Sequence, residues 1–573
     1  PEAYPAPAHK MRPEMRSRLI ILGLAVVVVI AAIVASSGGG GGSGSGGGSS
    51  GGTAPKGALK ISLVYSPEKE KLLVPLIQKF NDRKTQVDGK QVFVEGKVVS
   101  SGDAQKQIVK GDLKPTVWSP SSSFWGRLVN LQSDAGYIAN DNPSIVRTPL
   151  VIAMWKPMAQ ALGWPKKQID FKQIIKLATA RNGWASVGAQ FGAFKYVHTN
   201  PDFSTSGAEA VAGSYYAFAG KREGLTGADV ARAAPSVKKV ESAIVHYGDN
   251  TLFIEDQLKQ HGQGYASAVA MEEATLLDFN RTQPSSAPKL VALYPAEGTF
   301  VSDDPYMILN GPWVSSGQRK GAEEFQKFLA DEITPSLAGQ FGFRPGDPKK
   351  KGSGLVSTSN GADPSQPKIE LKVPEPKVLN RVLTTWRRDR KPANVLLVLD
   401  NSGSMGDENK LEQAKSGLRG FFANAAPQDR IGLMVFSTRP RLAVPLAPFG
   451  SNKGRLRSAI DQITPDADTA LFQATAAGLD VVKRRADTSR INAVVLLTDG
   501  QDTAGGISEG QVLSRLQQEG RAETGAVRLY TIAYGADADK GLLDRFASAT
   551  GGKPFVGDTS NIDSVYLSIS SFF

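Results

Sequence analysis

Beyond Lys391 the chain alternates short β-branched and aliphatic runs with stretches of helical spacing, and that alternation leaves it few folds. Asn394 to Leu399, Arg430 to Phe436, Asn492 to Leu497 and Val527 to Tyr534 are apolar nearly throughout, as strands buried on both faces of a parallel sheet must be. Between them Lys410 to Ala425, Arg455 to Ile463, Ala470 to Arg484 and Gly510 to Arg521 carry helical spacing. The pattern predicts an open α/β sheet covered by helices, whose ligands bind at the carboxyl ends of the strands. At 573 residues, 41% hydrophobic and 21% charged, the chain is too long for one core and reads as two or three globular domains.

The first of these strands ends in Asp400-Asn401-Ser402-Gly403-Ser404, and two later segments, Asp468-Thr469-Ala470-Leu471 and Leu497-Thr498-Asp499-Gly500, also fall at strand ends or loops. Taken alone, Asp-x-Ser-x-Ser is also an ordinary helix-opening loop, since Asp and Ser are favoured caps. Together, Asp400, Ser402, Ser404, Thr469 and Asp499 offer two carboxylates and three hydroxyls, hard oxygen donors that select Mg²⁺, Mn²⁺ or Ca²⁺ over zinc or copper. The three segments, in this order, resemble the metal-ion-dependent adhesion site of a von Willebrand factor type A domain, over residues 392–573. The resemblance implies a doubly wound, Rossmann-like fold with Ser402 and Ser404 as direct ligands. It also implies Thr469 as a ligand directly or through water, and Asp400 and Asp499 largely through water. The open coordination position would then take an acidic residue of a partner protein. Nucleotide chemistry lacks its motifs: no Gly-Lys-Ser/Thr loop or Gly-x-Gly-x-x-Gly string follows a strand, and Ser402 stands where a haloacid-dehalogenase phosphotransferase needs its second Asp.

From Ala58 to about Lys391 the chain is again α/β, opening with a strand Leu59 to Tyr65, a helix Lys69 to Phe80 and a strand Gln91 to Val99. A polar cluster after each strand is the recurrent feature, as in Val117-Trp118-Ser119-Pro120-Ser121-Ser122-Ser123 and Asn200-Pro201-Asp202-Phe203-Ser204-Thr205-Ser206-Gly207. With Tyr294 to Phe300 and Gly342-Phe343-Arg344-Pro345, this succession resembles an extracellular solute-binding protein of the two-lobed, type II periplasmic-binding kind, closest to molybdate-binding-like receptors. The resemblance implies a chain that crosses to a second lobe near Pro149, returns near Leu290, and closes on its ligand by hinge motion. Ser66, Ser119, Ser121 and Ser122 would face Ser204, Thr205 and Ser206 across the cleft, the latter three preceding a helix expected at Ala208 to Phe218. Glu297, with Glu272 and Glu273, would line it and disfavour a strongly anionic solute. Each of these Ser and Thr residues also fits a cap or turn. The tryptophans read as core packing, Lys349 to Lys351 as a solvated loop, and Glu375 to Arg390 as an amphipathic helix that leaves almost no slack before the last sheet.

Leu19 to Ala35 holds seventeen residues without a charge, and through Ser37 the run reaches roughly 28 Å as a helix, about a bilayer core. Lys10, Arg12, Arg16 and Arg18 precede it, which predicts a cytoplasmic N-terminus (1–18), a single transmembrane helix (19–37) and extracytoplasmic domains on a cell membrane. A signal peptide cleaved near Ala35 is the alternative. Every residue from Ser36 to Gly52 is Gly or Ser, so 38–57 reads as a flexible linker, followed by domains at 58–391 and 392–573.

The absence of cysteine excludes disulfides, thiolate metal sites and a cysteine nucleophile. The four histidines, at 9, 198, 246 and 261, form no recognisable zinc or triad pattern. The formal charge of +12 is spread without a run of four basic residues, which argues against nucleic acid as partner. The whole arrangement resembles bacterial substrate-binding and VWA domain-containing proteins, which implies no enzyme. It implies a membrane-anchored, extracytoplasmic binding protein that holds or senses a small solute and docks a partner protein through the cation. A substrate receptor for an ABC-type importer, with the type A domain as accessory, is the alternative.

Overall fold

The strand Leu59–Tyr65 is central to a first sheet and buries Ile61, Leu63, Val64 and Tyr65 there. It pairs in parallel with Lys90–Val98, from Leu59 opposite Val92 to Tyr65 opposite Val98, and with Val117–Ser119 on its other side. The helix Glu70–Asp82 lays Leu72, Leu73, Leu76, Ile77 and Phe80 on this sheet. The computed structural model describes residues 52–522 and 524–573.

A second sheet is built around Val146–Trp155, whose ten residues are almost all buried. Antiparallel partners are Ala268–Glu272, Leu290–Leu293, Val301–Ser302 and Arg344–Pro345, while Tyr196–Thr199 continues the sheet in parallel with Ala268–Glu272 and Ile244–Gly248. The chain therefore enters this sheet at Val146 and rejoins the first one at Met307–Ile308, which pairs antiparallel with Val117–Ser119. Leu290–Leu293, where the return was expected, still belongs to the second sheet. The helix expected from Ala208 begins earlier, at Thr205, so that Ser204 becomes its extended N-cap residue.

The third sheet has six strands in the order Pro440–Pro448, Arg430–Phe436, Ala393–Asp400, Ile491–Thr498, Val527–Tyr534 and Pro554–Gly557. All neighbours are parallel except the first pair. The order of connection reverses at Ala393–Asp400, so the carboxyl end of that strand opens at a topological switch point. Between the second and third sheets the helix Pro376–Asp389 buries Leu379, Val382, Leu383 and Trp386.

The transmembrane reading of residues 19–37 falls outside the described residues, and the single-pass, cell-membrane localisation drawn from it is corrected. Among the described residues no helix is long and apolar enough to cross a membrane. The longest, Ser316–Glu332, has 17 residues and carries Arg319, Lys320, Glu323 and Glu324, whereas a span needs about 20 mostly apolar residues.

Candidate functional site

The switch point in the third sheet gathers side chains from three loops. Asp400, fully buried at the end of its strand, accepts hydrogen bonds from the Ser402 backbone N–H (2.7 Å) and the Thr498 hydroxyl. Burial still pushes its carboxyl up to about 6 against those bonds. Asp400 thus braces the turn that presents Ser402 and Ser404, whose hydroxyl oxygens lie 3.3 Å apart. The Ser404 hydroxyl donates to Asp499 Oδ1 at 2.8 Å, and Lys410 Nζ donates to Asp499 Oδ2 at 2.8 Å. Thr469 stands beside this chain: a side chain at Gly500 would come within 3.6 Å of Thr469 Oγ1. Its loop is tied to the first by Gly403 N–H donating to the Ala467 carbonyl at 3.0 Å. Among the described residues no group of three or more His, Cys, Asp or Glu is placed to hold a metal. The donors here are hydroxyls with two carboxylates, a set that fits a hard divalent cation. Lys410 was not singled out by the sequence, because a lysine opening a helix ten residues after Asp400 looks like any solvated charge.

The second constellation lies between the first two sheets. Ser66, Glu68, Ser101 and Ser121 line it from one side, and Ser204, Thr205, Asn250, Thr251 and Glu272 from the other. The space is about 10 Å³, barely what one water needs. Glu68 accepts from the Ser66 and Ser121 hydroxyls, the latter at 2.8 Å. Glu272 accepts from the Thr251 hydroxyl at 2.7 Å, and burial, then the nearby Glu68 charge, pushes its carboxyl up to about 7. Lys69, wholly buried, is neutralised by Asp304 at 2.6 Å. Thr205 is fixed by Trp125 Nε1 donating to its hydroxyl at 2.8 Å, and Ser206 bonds back to Thr199 at 2.9 Å.

The remaining expected cleft residues are placed differently. Ser119 and Ser122 are buried next to the cavity without lining it. Glu297 is elsewhere, its carboxylate accepting from the Phe171 backbone N–H at the start of the helix Phe171–Ala178 (3.1 Å). Glu273 is held by a bidentate bond from Arg344. Glu68, Asn250 and Thr251 went unremarked in the sequence, although Glu68 stands only two residues beyond Ser66.

Comparison with known proteins gives each constellation a context. The family model for the bacterial extracellular solute-binding protein matches residues 61–344, and that for the von Willebrand factor type A domain matches residues 395–501. The chain joins a bacterial solute-binding domain to a type A domain. An uncharacterized protein of Mycobacterium tuberculosis is 23% identical over 471 residues, covering 77% of this chain and 64% of the relative. An uncharacterized protein of Synechocystis is 26% identical over 164 residues, 28% of this chain and 37% of its own. The chain thus spans less than two thirds of either relative's length. Among solved structures, a von Willebrand factor type A protein from Catenulispora acidiphila aligns with 31% of this chain and 42% of its own at 18% identity, with a TM-score of 0.29. The solute-binding domain contains the small cavity and the type A domain contains the hydroxyl–carboxylate cluster. Domains of both kinds are typically non-catalytic binding modules, and together they support a binding protein with a protein-interaction domain.

Proposed function

We propose that the solute-binding domain holds a small solute between its two lobes and that the type A domain docks a partner protein through a divalent cation, Mg²⁺ or else Mn²⁺ or Ca²⁺. Ser402, Ser404 and Asp499 would hold the ion, with Thr469 beside them and Asp400 bracing the loop. The ion would supply an open position for an acidic side chain of the partner. The observation that carries this reading is the hydrogen-bonded chain Ser402, Ser404, Asp499 at the switch point of the sheet. Only two carboxylates contribute, so the cation keeps much of its charge for the partner. In the other domain, hydroxyls with Glu68 and Glu272 favour a polar, hydrogen-bonding solute over an oxyanion.

The test is affinity capture with the full chain in Mg²⁺, repeated with chelator and with Ser404→Ala. A protein retained in Mg²⁺ and lost in both controls is the expected outcome. Retention of the same protein under all three conditions would contradict cation-bridged docking.

A further inference from the structure

Beside the hydroxyl–carboxylate cluster, the hairpin of Arg430–Phe436 and the edge strand Pro440–Pro448 forms one wall of a groove of about 280 Å³, and the loop 462–466 forms the other. Side chains alternate between the faces of a strand, so Val435, Ser437, Arg439 and Arg441 come to one face, and all four line the groove. Val435 stands opposite Arg441 in the register of the hairpin. The groove is built onto the cluster's own first loop. Asn401, between Asp400 and Ser402, donates its backbone N–H to the Phe436 carbonyl at 2.9 Å and its side-chain amide to the Thr464 carbonyl at 2.9 Å. The Ser437 carbonyl accepts from the Ala470 N–H at 2.7 Å, next to Thr469.

Arg439 and Arg441 are exposed, and among the described residues neither has an ion-pair or hydrogen-bond partner. Asp466, the carboxylate that lines the groove among the described residues, accepts instead from the Ser437 hydroxyl and the Ala467 backbone N–H, each at 2.9 Å. Leu442, 41% exposed, follows Arg441 on a strand whose outer edge pairs with nothing among the described residues. Two like charges on one strand face repel each other, and an acidic segment lying across them relieves that repulsion. Across Ala393–Asp400 from the hairpin the sign is reversed. There the Lys410 carbonyl accepts from the Tyr534 hydroxyl, its ammonium is tied to Asp499, and the charges of Asp537 and Glu408 act on it. An acidic partner is therefore drawn to the hairpin side of the cluster.

We infer that Arg439 and Arg441 are a second anchor of the docking surface, and that the partner protein presents an acidic segment whose further carboxylates lie in this groove. The inference rests on the cation-bridged docking proposed above and adds the side on which the partner lies and the chemistry of its flanking residues. A lone acidic residue would engage the cation alone. A run of them would also engage the arginine forks, which match carboxylates bidentately. Charges at the rim of an interface act mainly on partner choice and on the rate of approach.

Fluorescence anisotropy of two capped peptides with the full chain tests this: a decaglutamate, and a Gly/Ser peptide of equal length with one central glutamate. In Mg²⁺ the decaglutamate is expected to bind with a dissociation constant of about 100 µM that weakens as salt is raised, and the single-glutamate peptide about tenfold more weakly. Arg439→Gln combined with Arg441→Gln is expected to abolish that preference while Mn²⁺ affinity stays unchanged. Arg484→Gln combined with Arg485→Gln removes the same charge from exposed positions at the other end of the sheet, where the Arg485 carbonyl accepts from Asn394, and is expected to keep the preference. No binding at millimolar decaglutamate, a preference unchanged in the Arg439/Arg441 variant, or one lost equally in the Arg484/Arg485 variant would overturn the inference. So would equal affinity for a decathymidylate, which would make the groove a general polyanion surface. Failure of the cation bridge would show separately: chelator and Ser404→Ala would then leave decaglutamate binding unchanged while the Arg439/Arg441 variant still weakened it.

Discussion

Glu272 lies in a cavity with room for about one water, near a second carboxylate, and its carboxyl rises to about 7 chiefly through burial. An unfolded Glu titrates near 4.3, so the folded state holds this proton more tightly. The stabilisation is complete below the unfolded value and is lost as pH rises through about 7. Going from pH 5 to pH 8 is therefore expected to cost about 1–3 kcal/mol at this site, and Glu272→Gln to remove that part of the slope. Denaturant titrations across this range decide it, and an identical slope in the variant would show that Glu272 does not carry the effect. At this scale the sequence is informative where chemistry is contiguous: Asp400, Ser402 and Ser404 are legible because they share one loop after a strand whose burial is itself legible. Lys410 and Glu68 are not. Their importance lies in Asp499, 89 residues from Lys410, and in Ser121, 53 residues from Glu68, distances only the fold closes.

At the scale of elements, the helix Thr205–Ala219 sits directly on the strand Tyr196–Thr199 because Gly207 has no side chain. A Cβ there would lie 2.0 Å from the Thr199 carbonyl oxygen. Gly207→Ala must push the helix away and carry Ser204, Thr205 and Ser206 with it, at an expected cost of about 1–3 kcal/mol or more. Chemical denaturation measures it; stability equal to the parent would mean that the contact is not a constraint. The four central strands of the third sheet are legible from their unbroken apolar runs. Its edges are not: Pro440–Pro448 is half exposed and contains Pro445, and Pro554–Gly557 has only four residues, so neither presents the run that a doubly buried strand requires.

Across the whole described molecule, residues that follow the third sheet touch elements around the second. Phe572 packs against Phe253 with ring centroids 5.2 Å apart and against Tyr530 at 4.8 Å, while Asn200 Nδ2 donates to the Ser571 carbonyl at 3.0 Å. Trp386 of the connecting helix donates to Glu241, which also accepts from the Tyr247 hydroxyl. Two domains fastened this way are expected to unfold in one transition, and Phe572→Ala, at about 3–5 kcal/mol, to separate it into two by calorimetry. Two transitions already present in the parent would contradict so firm an interface. Asn200 is four residues before Ser204, so the segment that lines the small cavity between the first two sheets also touches Ser571. Linear sequence conveys the shortness of the connection but not this contact, since Asn200 and Ser571 are 371 residues apart.

The central claim is that Ser402, Ser404 and Asp499 hold a divalent cation, and its most direct test is Mn²⁺ binding by the metal-free full chain, followed by electron paramagnetic resonance. The parent is expected to bind one ion that Mg²⁺ displaces, and Ser404→Ala to weaken the affinity about tenfold or more with an unchanged melting temperature. Absence of saturable binding in the parent, or equal affinity in Ser404→Ala, would contradict it.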